Sequence, residues 1–465
     1  SLSLEKRREA IAKRFESIYQ QLGLLEDNVQ DALKTGIVGY GENVHMLLRD
    51  PSSDLPEMLN AVKSIKNDES GQENLFSAIS ETLRIFLPVK RRTHSNMMLI
   101  VVTDERGDDG GDNGEFLEEI IGRCARSGVK AYVIGNSSIF GRKEGYVHYE
   151  WDYEGEHFSE DLAVDQGPET VLPEGLKLPF WRANARKFER MSSGYGAYTL
   201  ARLCSETGGI FFVADESREM AFDPIIMRRY TPDYRSSKVY NRELQTNSAK
   251  LALVQAAGYT LLDDTDIPVP TFVFNAPNDN VLREEITEAQ KPMAVLDNHL
   301  SQMSDALERG EKDRGKLDSD RWRAAYDLAM GRVLAMRVRA YGYNSVLAEM
   351  KASPRTFTKS DNNQWRLVPS EKIIAGASVK RMHDKALEYL NRVVDEHAGT
   401  PWAKLAQIEL SDPLGWDWQE QKAPVAMGGN GGAGRQGPQF APEEEARRRQ
   451  AQQRAQKLTI SKPKL

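Results

Sequence analysis

The sequence is poor in cysteine, in clustered histidine and in long apolar runs. Among 465 residues there are two cysteines, Cys124 and Cys204. A disulfide framework is excluded, and both are expected as buried free thiols on helices. No apolar run approaches the ~20 residues that a membrane-spanning helix needs. Positive charge is not in excess either. With 62 Lys and Arg against 69 Asp and Glu, the net charge is −7 and the pI about 5.7, so a general nucleic-acid-binding surface is not expected. The seven histidines are scattered. His148 and His157, with Asp152 between them, read as surface residues rather than metal ligands. No Gly-x-Gly-x-x-Gly, Gly-x-Ser-x-Gly or His-Glu-x-x-His stands in the chain, and no base–nucleophile pair is suggested. A nucleotide is therefore not expected as a ligand, and the chain is expected to be no enzyme.

What is present is the composition of a globular protein, with length for two or three domains. The central stretch is Met97 to Asp112, MMLIVVTDERGDDGGD. Six apolar residues, Met97 to Val102, suit a strand buried on both faces, as in a parallel sheet. At its carboxyl end the chain turns acidic, and in open α/β sheets ligands sit outside the carboxyl ends of the strands. Around this strand the pattern alternates. Leu4 to Leu22 reads as an amphipathic helix, Lys34 to Gly41 as a strand, and Asn43 to Leu48 as an edge strand. A short helix runs from Asp54 or Leu55 to about Ser64, and another from Gln72 or Glu73 to about Phe86. Gly114 to Ser127 reads as a helix, Lys130 to Gly135 as a strand, Tyr195 to Thr207 as a helix and Ile210 to Val213 as a last strand. This order predicts an α/β fold with a doubly wound, mostly parallel sheet. Residues 136–192 break the pattern as a long insertion, with a hairpin around Tyr146 to Trp151.

After Asp215 the sheet signal is absent and an α-helical, repeat-like region follows, over 235–258, 281–309, 319–350, 376–397 and 401–411. Residues 268–280 read as a connector. Glu396 to Pro401 reads as a helix–helix turn: Gly399 ends one helix, Thr400 caps the next, and Pro401 takes its first position. From about Ala423 the chain is a glycine-rich, then charged tail, too poor in apolar residues to fold alone, with a short charged helix at 442–457. The expected domains are 1–215, 216–422 and 423–465.

Three pieces of the first region stand out together: Ser1-x-Ser3 at the head of the first helix, Ser70-Gly-Gln-Glu-Asn74 opening another, and Thr103-Asp104 ending the buried strand. This arrangement resembles the von Willebrand factor A domain, and the segments GIVGYG, VVTDERGDDG and ARLCSETGGIFF look like a bacterial subgroup that joins such a domain to a helical region. The resemblance implies a divalent cation, Mg²⁺ or else Mn²⁺ or Ca²⁺, at the carboxyl edge of the sheet. Ser1, Ser3, Glu73 and Asp104 would be its ligands, and Asn74 and Asp108 would lie on the partner-binding face. Hard cations of this kind take several oxygen ligands, and a position left open accepts an acidic side chain from a protein partner. Glu73 stands where the family has Thr, and the family's leading Asp would fall two residues before Ser1. The resemblance also places a central strand ahead of Ser1, so the chain is expected to be a fragment of a longer protein. The loop Asp108 to Gly114 fails the calcium-binding register of an EF-hand: counted from Asp109, position three is Gly111 and position twelve Ile120. The function expected is a non-catalytic protein-binding module. The alternative is a scaffold whose metal site is lost and whose helical region binds partners.

Overall fold

The computed structural model describes residues 33–66, 68, 70–110, 115–181, 190–214, 222–260, 267–373, 376–422, 457–458 and 462–463. The helix expected over Leu4 to Leu22 lies outside these residues. The chain divides into two compact units. The described part of the first comprises 33–169, 195–214 and the tail residues 457–458 and 462–463; the second comprises 170–194 and 222–422. The insertion expected at 136–192 is thus shared between the two.

The described part of the first unit begins with an antiparallel pair, β1 (Thr35–Tyr40) and β2 (Val44–Ser52). Helix α1 (Leu55–Lys63) packs against this pair through Met58, which meets Leu48. Helix α2 (Leu75–Thr93) follows. Its apolar residues Leu75, Phe76, Ile79, Leu83 and Leu87 recur at helical spacing and form one buried face. The helix passes through Pro88 and ends at His94, in the left-handed region at φ 53°. It therefore runs beyond Phe86, where the sequence predicts its end. Next come β3 (Met98–Val102), α3 (Glu115–Ser127), β4 (Lys130–Gly135), α4 (Tyr198–Thr207) and β7 (Phe211–Val213). The three strands form a parallel sheet in the order β3-β4-β7. Leu99, Val101, Ala131 and Val133 on one face pack with α2, α3 and α4, and Cys124 and Cys204 sit in this core as free thiols.

The other face differs from the expectation. Met98 and Ile100 are 56% and 58% exposed, and Phe212 is 49% exposed. Strand β3 is buried on one face, not on both, because all the described helices of this core lie on the Leu99–Val101 side. Between β4 and α4 the chain projects a hairpin, β5 (Glu144–Tyr153) and β6 (Glu156–Asp165), longer than the sequence predicts.

The second unit is helix-rich. Two short helices, α5 (Pro224–Met227) and α6 (Ser237–Leu244), precede α7 (Ser248–Gly258). The single helix expected over 235–258 is divided because Asn247 caps α7, its side chain accepting from the N–H groups of Ala249 and Lys250. Two long helices follow, α8 (Asp279–Gly310) and α9 (Asp320–Ala352), then α10 (Ala377–Glu396) and α11 (Pro401–Leu410). The expected turn before α11 is present: Gly399 has φ 75°, and Thr400 Oγ1 accepts the Ala403 N–H at 3.3 Å.

The second unit also holds a sheet that the sequence reading does not contain. Strands β8 (Val273–Asn275), β9 (Gln364–Ser370) and β10 (Gly415–Gln421) pair antiparallel in the order β10-β9-β8. Trp365 and Leu367 on β9, and Trp416 and Trp418 on β10, are buried. The indole N–H of Trp416 donates to the Arg339 carbonyl of α9 at 2.9 Å, which fastens the sheet to the central helix. Residues 268–280 are therefore not only a connector.

Candidate functional site

The chain leaves β3 through Thr103, whose N–H still donates to Ile134 O at 3.1 Å. Its hydroxyl donates to Glu105 O at 2.9 Å and accepts the Glu105 N–H at 3.2 Å. This short side-chain turn folds the acidic stretch back on itself. Thr103, Asp104 and Glu105 are accordingly only 2%, 5% and 6% exposed. A fourth buried residue, Glu73 at 3%, comes from the loop before α2.

Two loops are locked together at this edge. The Glu73 N–H donates to Asp108 Oδ2 at 2.9 Å, and the Asp108 N–H returns to Glu73 O at 2.8 Å. Asp109 accepts the N–H groups of Phe76 and Ser77, at 2.9 and 2.6 Å. A carboxylate from a loop more than thirty residues away thereby satisfies the open donors of α2 and its positive end. Asn74 stands at the N-cap position but does not cap; its Nδ2 donates to Glu42 O at 2.7 Å and ties α2 to the β1–β2 turn. Gly107, at φ 85°, allows the loop to pass over Leu75, whose Cβ lies 2.8 Å from where a side chain would begin. From β1, the Tyr40 hydroxyl donates to Val102 O at 3.2 Å.

Around Glu105 the nearby charges that shift it are all negative. Burial, with the negative charges of Asp104, Glu73, Asp108 and Asp165, pushes the Glu105 carboxyl up to about 9. Burial also raises Glu73, and Asp104 and Asp68 add to it. Tyr40 is pushed well above its ordinary value by burial and by Glu73. The one base in the loop, Arg106, is engaged away from the cluster: its Nε donates to Asp165 Oδ2 at 2.8 Å, and Lys143 reaches the same oxygen at 3.0 Å. These pairs also bring the base of the hairpin beside the acidic loop.

Of the residues that the sequence proposes, Glu73 and Asp104 are brought together, and Asn74 and Asp108 lie on the loops beside them. Ser1 and Ser3 lie outside the described residues. Sequence reasoning missed Glu105 and Tyr40. Glu105 directly follows Asp104, but only the Thr103 turn makes both carboxylates point inward. Buried carboxyl oxygens suit a hard cation, and Glu105 Oε1 has no hydrogen-bond partner among the described residues. Among those same residues, however, no three His, Cys, Asp or Glu side chains are grouped so as to hold a metal ion. The expected hydroxyl ligands, Ser1 and Ser3, are not among the described residues.

A family model, the von Willebrand factor type A domain, matches residues 4–144. The chain carries a von Willebrand factor type A domain. Glu73, Asn74, Asp104 and Asp108 all fall within the matched stretch, while α4 and β7 lie beyond it, β7 as a further strand of the same sheet. No curated protein matches the chain. A solved structure, the crystal structure of an uncharacterized membrane spanning protein from Vibrio fischeri, is 11% identical over 52% of this chain and 83% of that one. Its TM-score of 0.15 is too low to bear on fold or function. Among the described residues, no helix is long and apolar enough to cross a membrane.

Proposed function

We propose that the von Willebrand factor type A domain, a protein-interaction module, binds its partner at the carboxyl edge of the parallel sheet through a divalent cation. Glu73 and Asp104 would hold the ion with the hydroxyls of Ser1 and Ser3, and the ion would give an acidic partner side chain an oxygen-seeking centre. The chain's own groups would position it: the Thr103 turn fixes Asp104 and Glu105, and the Glu73–Asp108 backbone pair fixes the second loop. The module is non-catalytic in this reading. The observation that carries it is the burial of Glu73, Asp104 and Glu105 at one edge, with a Glu105 proton that is held to about pH 9. A buried group of acids of this kind is relieved by a proton or by a cation. Titration calorimetry of the chain with Mg²⁺ and with Mn²⁺ tests the reading. Binding is expected, with release of a proton at neutral pH and a loss of about tenfold or more in affinity for Asp104→Asn. Absence of binding at millimolar metal overturns it.

The second reading is a scaffold whose type A domain takes no metal and whose helical unit binds partners. Glu73 in place of Thr, and the absence of a three-ligand group among the described residues, favour it. In that case partner capture survives Asp104→Asn and is indifferent to chelator.

A further inference from the structure

We infer that His397 is a proton-sensitive latch inside the second unit: as a neutral ring it holds the 224–230 segment on the α10–α11 corner through Tyr230, and a second proton on the ring releases that segment. The segment consists of α5 and the tight turn Arg228–Tyr230 that follows it. Helix α5 is the first described element of the chain after β7. Tyr230 is the anchor. It is 2% exposed, its ring stacks on Trp402 of α11 with centroids 5.3 Å apart, and it meets the His397 ring edge-on at 5.7 Å. The Tyr230 hydroxyl and His397 Nδ1 are hydrogen-bonded at 3.0 Å. Ile226 of α5 also sits on the corner: a Cβ on Gly399 would come within 2.9 Å of its Cδ1.

His397 stands at the corner itself. Its backbone N–H donates to Val393 O in the last turn of α10 at 3.1 Å, and its carbonyl accepts the hydroxyl of Thr400, the cap of α11, at 2.6 Å. The residue is 2% exposed, and Nε2 has no hydrogen-bond partner among the described residues. A neutral imidazole has one N–H; an imidazolium has two and accepts nothing. Here one of the two would take the Tyr230 oxygen, and the other would stay unpaired beside a buried positive charge. The charged groups around the ring do not offset that cost. Burial pushes His397 below its ordinary value and Arg323 of α9 adds to this, against Glu396 of α10 and Asp320 and Asp327 of α9, which raise it. Those acids have cations of their own. Asp320 is 2.5 Å from Arg229 and is paired with Arg323, Asp327 is paired with Arg314, and Glu396 lies 3.6 Å from Arg314. The neutral ring is thus the form that fits the closed corner. Its contribution is complete above the unfolded value near 6.5 and is lost as the pH falls from there toward the lower, folded value.

Hydrogen exchange of the full chain at pH 7.5 and 5.5, corrected for the intrinsic pH dependence of amide exchange, tests the latch. Opening of residues 222–232 should rise several-fold at the lower pH, to at most about tenfold, while the amides of the β8–β9–β10 sheet keep their protection. His397→Gln keeps a neutral side chain in place and should remove the pH dependence. Exchange of the imidazole C2 hydrogen, followed by mass spectrometry on the unaltered chain, reads the ring itself, and its midpoint should lie below 6.5. A midpoint at or above that value overturns the inference. So does opening of 222–232 that is the same at both pH values, or that keeps its pH dependence in His397→Gln. Equal loosening of the sheet would make the event a general acid unfolding of the unit, and overturns it too.

Discussion

The two units bury carboxylates in opposite company. Among the described residues of the second unit, each buried acid meets an arginine. Glu409, 1% exposed, lies 3.1 Å from Arg332 Nε and is paired with Arg339 as well. Glu174 is 2.5 Å from Arg321 and accepts the Tyr240 hydroxyl at 2.7 Å. Asp327 is paired with Arg314. At the acidic edge of the type A domain the neighbours of Glu105 are other acids. Burial alone would raise any of these groups. At Glu409 the two arginines outweigh it and hold the carboxyl below its usual value, whereas at Glu105 nearby charge adds to it. The first arrangement is a completed structural contact. The second leaves an acid that gains from a proton or a cation, which is what a binding edge requires and a core does not.

The sharpest way to break this comparison is to remove one charge from each cluster. Glu409→Gln leaves Arg332 and Arg339 buried without their anion, and the second unit should lose about 3–5 kcal/mol. Glu105→Gln removes a carboxyl that burial disfavours and should leave the metal-free first unit unchanged or more stable. Urea unfolding in the presence of chelator reads both. Equal destabilisation by the two variants would mean that the clusters do not differ in kind.

The pH dependence should also have opposite sign. Glu105 holds its proton more tightly folded than unfolded, where its value is near 4.5. Its stabilising effect is complete below that value and is lost as pH rises toward about 9. Over that window the metal-free first unit should lose at most about 1.4 kcal/mol per pH unit, one proton's worth. Glu409 is held below its unfolded value, so its contribution is present above about 4.5 and is lost as the pH falls further. Calorimetric scans between pH 4 and 9, with and without Glu105→Gln, check the first slope. A wild-type slope that survives the substitution would assign it to another group.

The sequence made some of this legible and hid the rest for physical reasons. An apolar run flanked by turn residues marks Met98–Val102 as a strand, because burial of one face and burial of both draw on the same residue types. It does not say which face stays open, and Met98 and Ile100 are the exposed ones. The alternation of Trp416 and Trp418 on β10, and of Trp365 and Leu367 on β9, carries the period of a strand. Each run is short and stands among long helices, and β8 contributes three residues, so helical periodicity dominates the region. At the acidic edge, Glu73 and Asp104 are visible through the family pattern. Tyr40 and Glu105 enter through a hydroxyl turn and a contact between β1 and β3, and neither has a local signature.

Helix starts give the smallest and most local form of the comparison. Helix α11 is capped by its own neighbour, Thr400, in the spacing that a cap needs, with Pro401 next to it, and this is readable directly. Helix α2 has Asn74 in the cap position, yet its open N–H groups at Phe76 and Ser77 are taken by Asp109, which only the tertiary fold delivers. Thr400→Ala should cost about 1 kcal/mol and act on the second unit alone. Asp109→Ala should cost about 2 kcal/mol: it removes two charge-assisted bonds at the positive end of a helix and unties that helix from the acidic loop. If the type A domain binds through this edge, Asp109→Ala should also weaken metal uptake without touching a ligand, while Asn74→Ala leaves the helix start intact. Equal costs for Thr400→Ala and Asp109→Ala, with metal uptake unmoved, would show that the acidic loop holds its shape without the helix, and that the edge is organised from the strand side alone.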